Sequence, residues 1–401
     1  MTGLPITYPY EARAARDVAA AVRHQWDVTL DEGGLDAPAE VVSATVTFDE
    51  SWAPHVQASL TCRLPDAATL AVIDARTGAR LSIRAGYTYP DREGPAFGPQ
   101  DVWPLASLGI TRRSVRRPQG DLIITAMSDE VLAQEALWHA DFAPPTWAIT
   151  DAVGAVSDLI HTATGRFPYI DADVIGTGAN PDGSDWDPAS YLPQDPGAGA
   201  TSLWSLIESV ADTWGLWVYD SGGINYDAGT DNGWRVRRRP TGAGTAVAQL
   251  RTGPIGNLTD TESVVSREDG WANAVHLIHD WEGGDGARLR LTTRSYIASG
   301  PMSVASAGYH AIAVRRTAPI NQVNIRAACN SLVRRTVTRG RSYTLTAPAM
   351  YWIRPGMPVT VQLPTGGQER HIVQSVTFTY PQGVMDLTTR LPESVTIQGA
   401  D

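Results

Sequence analysis

The most constraining feature of this chain is a period-two alternation of apolar and polar residues that occurs at both ends and is interrupted in the middle. Val42-Ser43-Ala44-Thr45-Val46-Thr47-Phe48 alternates, as does Val56-Gln57-Ala58-Ser59-Leu60-Thr61-Cys62. Successive side chains of a strand point to opposite faces, so these segments predict strands with one buried face. Leu81-Ser82-Ile83-Arg84 and Leu122-Ile123-Ile124 continue the pattern, with a Pro/Gly loop over Tyr89–Pro99 between them. Ser128-Asp129-Glu130 reads as the cap of a short helix continuing through Leu132 to Leu137. Late in the chain, Val359-Thr360-Val361-Gln362-Leu363, Arg370–Tyr380 and Met385–Arg390 predict a meander. Its turns fall at Thr365-Gly366-Gly367 and Pro381-Gln382-Gly383.

Between these blocks the period changes. Thr150 is the expected N-cap of a helix with Val153, Val156, Leu159, Ile160 and Ala163 on one face, ending at Gly165. A second helix starts at Thr201 or Ser202, carries a stripe of Leu203, Leu206, Ile207, Val210, Ala211 and Trp214, and stops at Gly215. Strands are predicted over Leu216–Asp220 and Trp234–Arg239, and the intervening Asp171–Ala200 is an Asp/Gly/Pro-rich loop. After Gly253, strands return at Ala274–His279 and Leu289–Thr293, and a helix is predicted over Asn321–Arg335 with Ile325, Ala328, Cys329 and Leu332 on one face. The Ala-rich stretch Glu11–Trp26 predicts a helix, or an arm that orders on assembly.

The expected organisation is therefore a helical N-terminal arm over 1–40, a first β domain over 41–142 and a small α/β module over 143–250. A second β domain follows over 251–401, with one helix and a C-terminal meander. The fold class is β-rich α+β. The 401 residues suit several domains, and 43% apolar with 19% charged residues suffices for ordinary cores.

Composition excludes several functions. All 32 basic residues are arginine, a bias that a GC-rich genome produces. Without lysine, the Gly-rich segments Gly176-Thr177-Gly178 and Thr365-Gly366-Gly367 cannot be Walker loops, and lysine-dependent catalysis is removed at once. A formal charge of −11 opposes tight binding of a phosphate backbone. The longest apolar runs, such as Leu105–Ile110, fall short of a membrane span, and Met1–Tyr10 has no secretory signal pattern. Cys62 and Cys329 are too few for a disulfide scaffold or a thiolate metal site. The chain reads as soluble and made in a reducing cytoplasm.

Four groups of residues merit weighing as sites. His276 and His279 are spaced like metal ligands, yet on a strand they face opposite ways and lack a third ligand. Asp171, Asp173 and the loop Asn180–Asp187 offer alternating oxygens, but without the closing Glu of a calcium loop. Trp186, Trp204, Trp214, Trp217 and Trp234 could stack on sugars or fill a core. The runs Arg112-Arg113, Arg116-Arg117, Arg237-Arg238-Arg239 and Arg334-Arg335 fit salt-bridging interfaces to acidic neighbours at least as well as nucleic-acid contacts. There is no G-x-S-x-G elbow, and no catalytic, cofactor or metal residue is assigned.

The order of elements resembles that of phage minor tail proteins of the baseplate-hub type. The likeness rests on Ser43–Asp49 with His55–Cys62, on Leu81–Arg84, on Ile110-Thr111 leading to Asp121–Ala126, and on Ser128-Asp129. It continues through Thr150–Ile160, Ser202–Gly215, Val218–Asp220 and the Asn-x-Val strand at Ala272–Val275. The closing segments Arg354–Val361 and His371–Thr377 complete it. The Ala-rich arm and the loop Asp171–Ala200 depart from the family pattern. The resemblance implies a virion tail protein, made in the host bacterial cytoplasm and acting without enzyme activity or cofactor. It implies a homotrimer in which each subunit gives two tube-like β-barrel or sandwich domains to a pseudo-six-fold ring. The implied partners are the distal tail protein, tail-tube proteins, tail fibre or tip proteins, and phage DNA passing through the lumen without tight binding. The alternative left open is a glycan-binding or glycan-cleaving tail-tip module built on the Trp/Asp-rich middle.

Overall fold

The computed structural model describes residues 23–32, 35–88, 102–138, 148–179, 185–186, 192, 201–222, 233–241, 244–253, 256–266, 270–282, 287–316, 320, 322–362, 367–392 and 397–400. The N-terminal part comprises β1 (Arg23–Glu32), β2 (Leu35–Ala39), β3 (Val41–Asp49), β4 (Val56–Arg63), α1 (Ala67–Val72), β5 (Arg80–Thr88), β6 (Val102–Arg116), β7 (Asp121–Met127) and α2 (Glu130–Glu135). The middle holds α3 (Ala152–Thr164), β8 (Tyr169–Ile170), α4 (Leu203–Trp214), β9 (Leu216–Asp220), β10 (Trp234–Arg238) and β11 (Ala248–Arg251). Next come β12 (Asp260–Val265), β13 (Ala274–Glu282), β14 (Arg288–Ile297), α5 (Val304–Ala307), β15 (Ala311–Arg316) and α6 (Gln322–Thr338). The chain closes with β16 (Arg341–Pro348), β17 (Pro358–Gln362), β18 (Gln368–Tyr380), β19 (Val384–Arg390) and β20 (Ile397–Ala400).

The fold is β-rich and dominated by one large sheet. Among the described residues it has 13 strands, running β12-β16-β19-β18-β3-β4-β7-β6-β5-β1-β2, with β17 and β11 branching from β18. The alternation in the sequence explains its inner face. Ala44, Val46 and Phe48 of β3 lie opposite Leu60, Ala58 and Val56 of β4, and all six are buried. On the other side of β3, Phe378 lies opposite Val46 and Val376 opposite Phe48. Thus β3, early in the chain, and β18, near its end, join the two β regions into one sheet over one core. The sheet also curls: the Trp26 indole on β1 donates to the Tyr351 hydroxyl beyond β16 at 2.9 Å, although these strands lie toward opposite ends of the sheet order.

The middle forms a separate core. Asp151 caps α3 by accepting from the Gly154 N–H at 2.7 Å, and Ser202 caps α4 by accepting from Ser205 at 3.2 Å. Both helices end on left-handed glycines, Gly165 (φ 70°) and Gly215 (φ 66°), where a Cβ would be strained. Leu203 and Ile207 of α4 pack against Val156, Leu159 and Ile160 of α3, above the small sheet β8-β10-β9. A third sheet, β15-β13-β14-β20, is covered by α6, whose Ile325, Cys329 and Val333 bury Val275, Leu277 and Ile297.

Four sequence expectations change. The helical arm expected over 1–40 is strand in its described part, including Arg23–Trp26 at the end of the predicted helix. Trp26, Val28 and Leu30 are buried while Asp27 and Asp31 are exposed, a period-two pattern that makes β1 a partner of β5. Residues 1–22, like the Tyr89–Pro99 loop and Pro144-Pro145, lie outside the described residues. The cap of α3 is Asp151 rather than Thr150. Asp129 precedes α2 but makes no side-chain cap, because its carboxylate bonds elsewhere. Finally, α6 runs to Thr338, beyond the Arg335 expected from its apolar face.

Candidate functional site

A cleft of about 230 Å³ opens where the three parts of the chain meet. The turn after β3 contributes Glu50 and Trp52, α4 contributes Glu208 and Asp212, and the end of β10 leads to Arg239. The last turn of α6 adds Arg335, the turn that follows it adds Arg339, and β19 adds Arg390. Each position follows from local structure. Glu208 and Asp212 are one turn apart on α4, so they share a side of the helix. Arg335 lies in the last turn of α6, and Arg339 follows directly after the helix ends at Thr338.

Asp212 is the ionic centre. Its carboxylate lies 3.2 Å from Arg239, 3.7 Å from Arg335 and 3.9 Å from Arg316 of β15. The Arg316 guanidinium also donates to the Asp212 carbonyl, near the C-terminal end of α4 where the helix dipole favours a cation. Burial works to raise the Asp212 pKa, but the guanidiniums of Arg239, Arg335 and Arg316 outweigh it and hold the carboxyl below the usual range. Glu50 is held by Arg390 at 2.5 Å, and the same arginine donates to the Pro240 carbonyl at 2.9 Å. The cleft's ion pairs therefore tie β3, α4, α6, β15 and β19 together.

A second polar centre joins the first β region to the middle module. The Asp129 carboxylate accepts from Arg80 at 2.9 Å and from Arg166 at 2.8 Å. The Asp129 N–H donates to Asp220 at 2.8 Å, and the Asp220 N–H donates to Glu130 Oε1 at 2.8 Å. All three acids are buried. Burial, and next the Asp220 carboxylate, push the Glu130 pKa up to about 8.

The residues weighed from sequence are dispersed. His276 and His279 point to opposite faces of β13: His276 bonds the Tyr309 hydroxyl at 2.6 Å, and His279 is buried. Asp171 lies 3.4 Å from Arg237, while Asn180–Ser184 and Asp187 fall outside the described residues. Among the described residues no three metal-ligating side chains come together. Trp204, Trp217 and Trp234 are buried, and Trp186 packs against Trp214 with ring centroids 6.1 Å apart. Trp52, which the sequence did not single out, is instead the exposed indole at the cleft, 48% accessible. The arginine runs find acceptors within the chain: Arg239 and Arg335 meet on Asp212, and Arg113 donates to the carbonyls of Leu70 and Ile73, at the end of α1. Sequence reasoning singled out Arg239 and Arg335 within those runs but missed Asp212, Arg316 and Arg390, which lie on separate elements.

No protein-family model matches the sequence, and no curated protein matches it. Solved structures do resemble it. The tail protein of Neisseria meningitidis MC58 superposes with a TM-score of 0.59 at 12% identity, covering 91% of this chain and 96% of that one. The 43 kDa tail protein of prophage MuSo2 from Shewanella oneidensis gives 0.58 at 9% identity, over 93% and 100% of the two chains. The prophage tail protein gp18 of Listeria monocytogenes gives 0.52 at 11% identity, over 92% and 95%. The chain has the fold of phage and prophage tail proteins.

Proposed function

We propose that this chain is a structural protein of a phage virion tail, acting as a homotrimeric hub at the distal end of a non-contractile tail. In this reading residues 41–142 and 251–401 each supply one tube-like unit, held side by side through the β3–β18 pairing, and residues 143–250 form a module outside the ring. The hub continues the tail tube, meets the distal tail protein and fibre or tip proteins, and supports host attachment and genome delivery without enzymatic activity.

The observation that carries this reading is the likeness to three tail proteins along nearly the whole length of each chain. The strand edges support it. Among the described residues β2 and β12 end the large sheet, and β15 and β20 end the four-stranded one. Such edges carry unpaired N–H and C=O groups that neighbouring subunits can cover. Ring closure through repeated head-to-tail contacts suits them. A net charge of −11 is compatible with a lumen that passes DNA without holding it.

Light scattering on the purified chain, alone and with tail-tube and distal tail partners, tests the proposal. Trimers and three-fold rings in negative stain are expected. A protein that stays monomeric at all concentrations and with those partners overturns it.

A further inference from the structure

Two outward faces of this chain carry opposite charges that its described residues leave unpaired. The first is the β1–β2 hairpin at the end of the large sheet. Trp26, Val28 and Leu30 of β1 turn into the core, so Asp27 and Asp31 point outward. Asp31 stands directly opposite Asp36 of β2, and Glu40 follows that strand. All four acids are exposed, and none forms an ion pair among the described residues; Asp27 accepts from Gln25 at 2.8 Å. The arginines of β5 beside them are engaged elsewhere. Arg80, opposite Asp31, bonds Asp129 and the Ser107 carbonyl, and Arg84, opposite Asp27, donates to the Val102 carbonyl. Like charges directly across a strand pair repel, and Asp31 and Asp36 do so without relief from a bound cation.

The second is the side of the sheet β15-β13-β14-β20 opposite α6. Leu291 and Ile297 of β14 pack toward α6, so Arg288, Arg290 and Arg294 point the other way. Arg315 of β15 joins them, beside Ile278 of β13. The acids on β13 there are Asp280, which Arg288 holds at 2.7 Å, and Glu282, opposite Arg288 in the register. Arg290, Arg294 and Arg315 are exposed, and their side chains make neither an ion pair nor a hydrogen bond among the described residues.

The faces match in spacing as well as in sign. Asp27 and Asp31 are four positions apart on β1, as are Arg290 and Arg294 on β14, and that length of strand spans about 13 Å in each case. Each face also borders a strand edge open to a neighbour, β2 in the first and β15 with β20 in the second. We infer that the basic face of one copy of this chain docks on the acidic hairpin of the next, Arg290 and Arg294 meeting Asp27 and Asp31. This rests on the assembly proposed above and names the surfaces it uses. Because the two faces belong to different sheets, the contact is head-to-tail and repeats from copy to copy until a ring closes.

Sedimentation of the full chain over a range of concentration and salt tests it, comparing wild type with Arg290→Glu/Arg294→Glu and with Asp27→Arg/Asp31→Arg. Each variant should associate about a hundredfold more weakly than wild type, because like charges then face each other across the contact. The chain carrying all these reversals should associate again, since the signs once more complement. Added salt should weaken the wild-type contact. All the substituted side chains are exposed, so the variants should melt as the wild-type monomer does. Arg290→Gln/Arg294→Gln, the milder change, should fall between wild type and reversal. Wild-type association that survives both reversals overturns this interface and leaves the hub standing. Weakening in both variants without recovery in the combined chain overturns the pairing of these two faces. A wild type that stays monomeric, alone and with its tail partners, overturns hub and interface together.

Discussion

The Phe378 ring of β18 stands edge-on to the Phe48 ring of β3, centroids 6.2 Å apart and planes at 77°, across the strand pair that joins the two β regions. The Arg354 guanidinium covers Phe48 from 4.4 Å. Both rings are fully buried. Phe378→Ala removes one of them and leaves a cavity at the seam, so it should cost about 3–5 kcal/mol. Denaturant unfolding monitored by tryptophan fluorescence checks this. Since the seam serves a core shared by both regions, the loss should lower the midpoint of one common transition rather than release one region alone.

Glu130 makes stability fall with pH. Its folded pKa, about 8, lies above the ordinary 4.5, so between these values the folded state holds a proton that the unfolded state has lost. The group's stabilising contribution is full below the unfolded pKa and disappears as pH rises through the folded one. The slope is up to about 1.4 kcal/mol per pH unit. Asp220, Asp129, Arg80 and Arg166 surround this group. Glu130→Gln should flatten that part of the stability profile, measured by urea unfolding from pH 4.5 to pH 8. An unchanged slope would count against the buried, protonated carboxyl.

Asp212→Asn keeps the side chain's size and removes the charge on which Arg239, Arg316 and Arg335 converge. A loss of about 1–3 kcal/mol is expected. It should shrink as salt is raised, because screening weakens the repulsion among the remaining guanidiniums. Melting temperatures of both proteins across a salt series give the comparison.

Gly383 turns the β18–β19 hairpin at φ 65°, and a Cβ there would run into the His24 ring. That ring packs on Tyr87 and Tyr351 and bonds the Tyr351 hydroxyl at 3.0 Å. Gly383→Ala therefore meets left-handed backbone strain of about 1–2 kcal/mol and a displaced His24. Calorimetry should show a clear drop in Tm, larger than for Gly367→Ala, where a Cβ meets open space.

Both thiols should be silent in the native protein. Burial pushes Cys62 up to about 11 and also raises Cys329. A thiol reagent at neutral pH should label neither until denaturant is added, and fast native labelling would contradict the burial.

What the sequence made legible was local. The stripe on α4, its Ser202 cap and its Gly215 stop can all be read from one turn of chemistry and its repeat. So can the alternation of β3, β4 and β7. Partner choice could not be read: alternation tells which face of β3 is buried, but not that β18 lies beside it. The β1 strand was hidden because the Ala-rich residues before it carry a helical signal into Arg23–Trp26. Ser128-Asp129-Glu130 has the composition of a cap, and only the arrival of Arg80, Arg166 and Asp220 turns it into a buried polar centre. The Asp212 cleft was invisible for the same reason, since its charges come from elements far apart in the chain.

The hydrogen bond between Thr47 and Thr377 closes a loop of 330 positions. Pairing over such a separation carries a large loop-closure entropy and slows folding relative to local contacts. On the ribosome, β3 and β4 emerge long before β18 exists, so the N-terminal strands must wait with one edge open. Completion of the central sheet thus reports that the C-terminal meander has been made. A chain truncated before β18 would lack the strand that finishes this core, and β3 would keep an open edge.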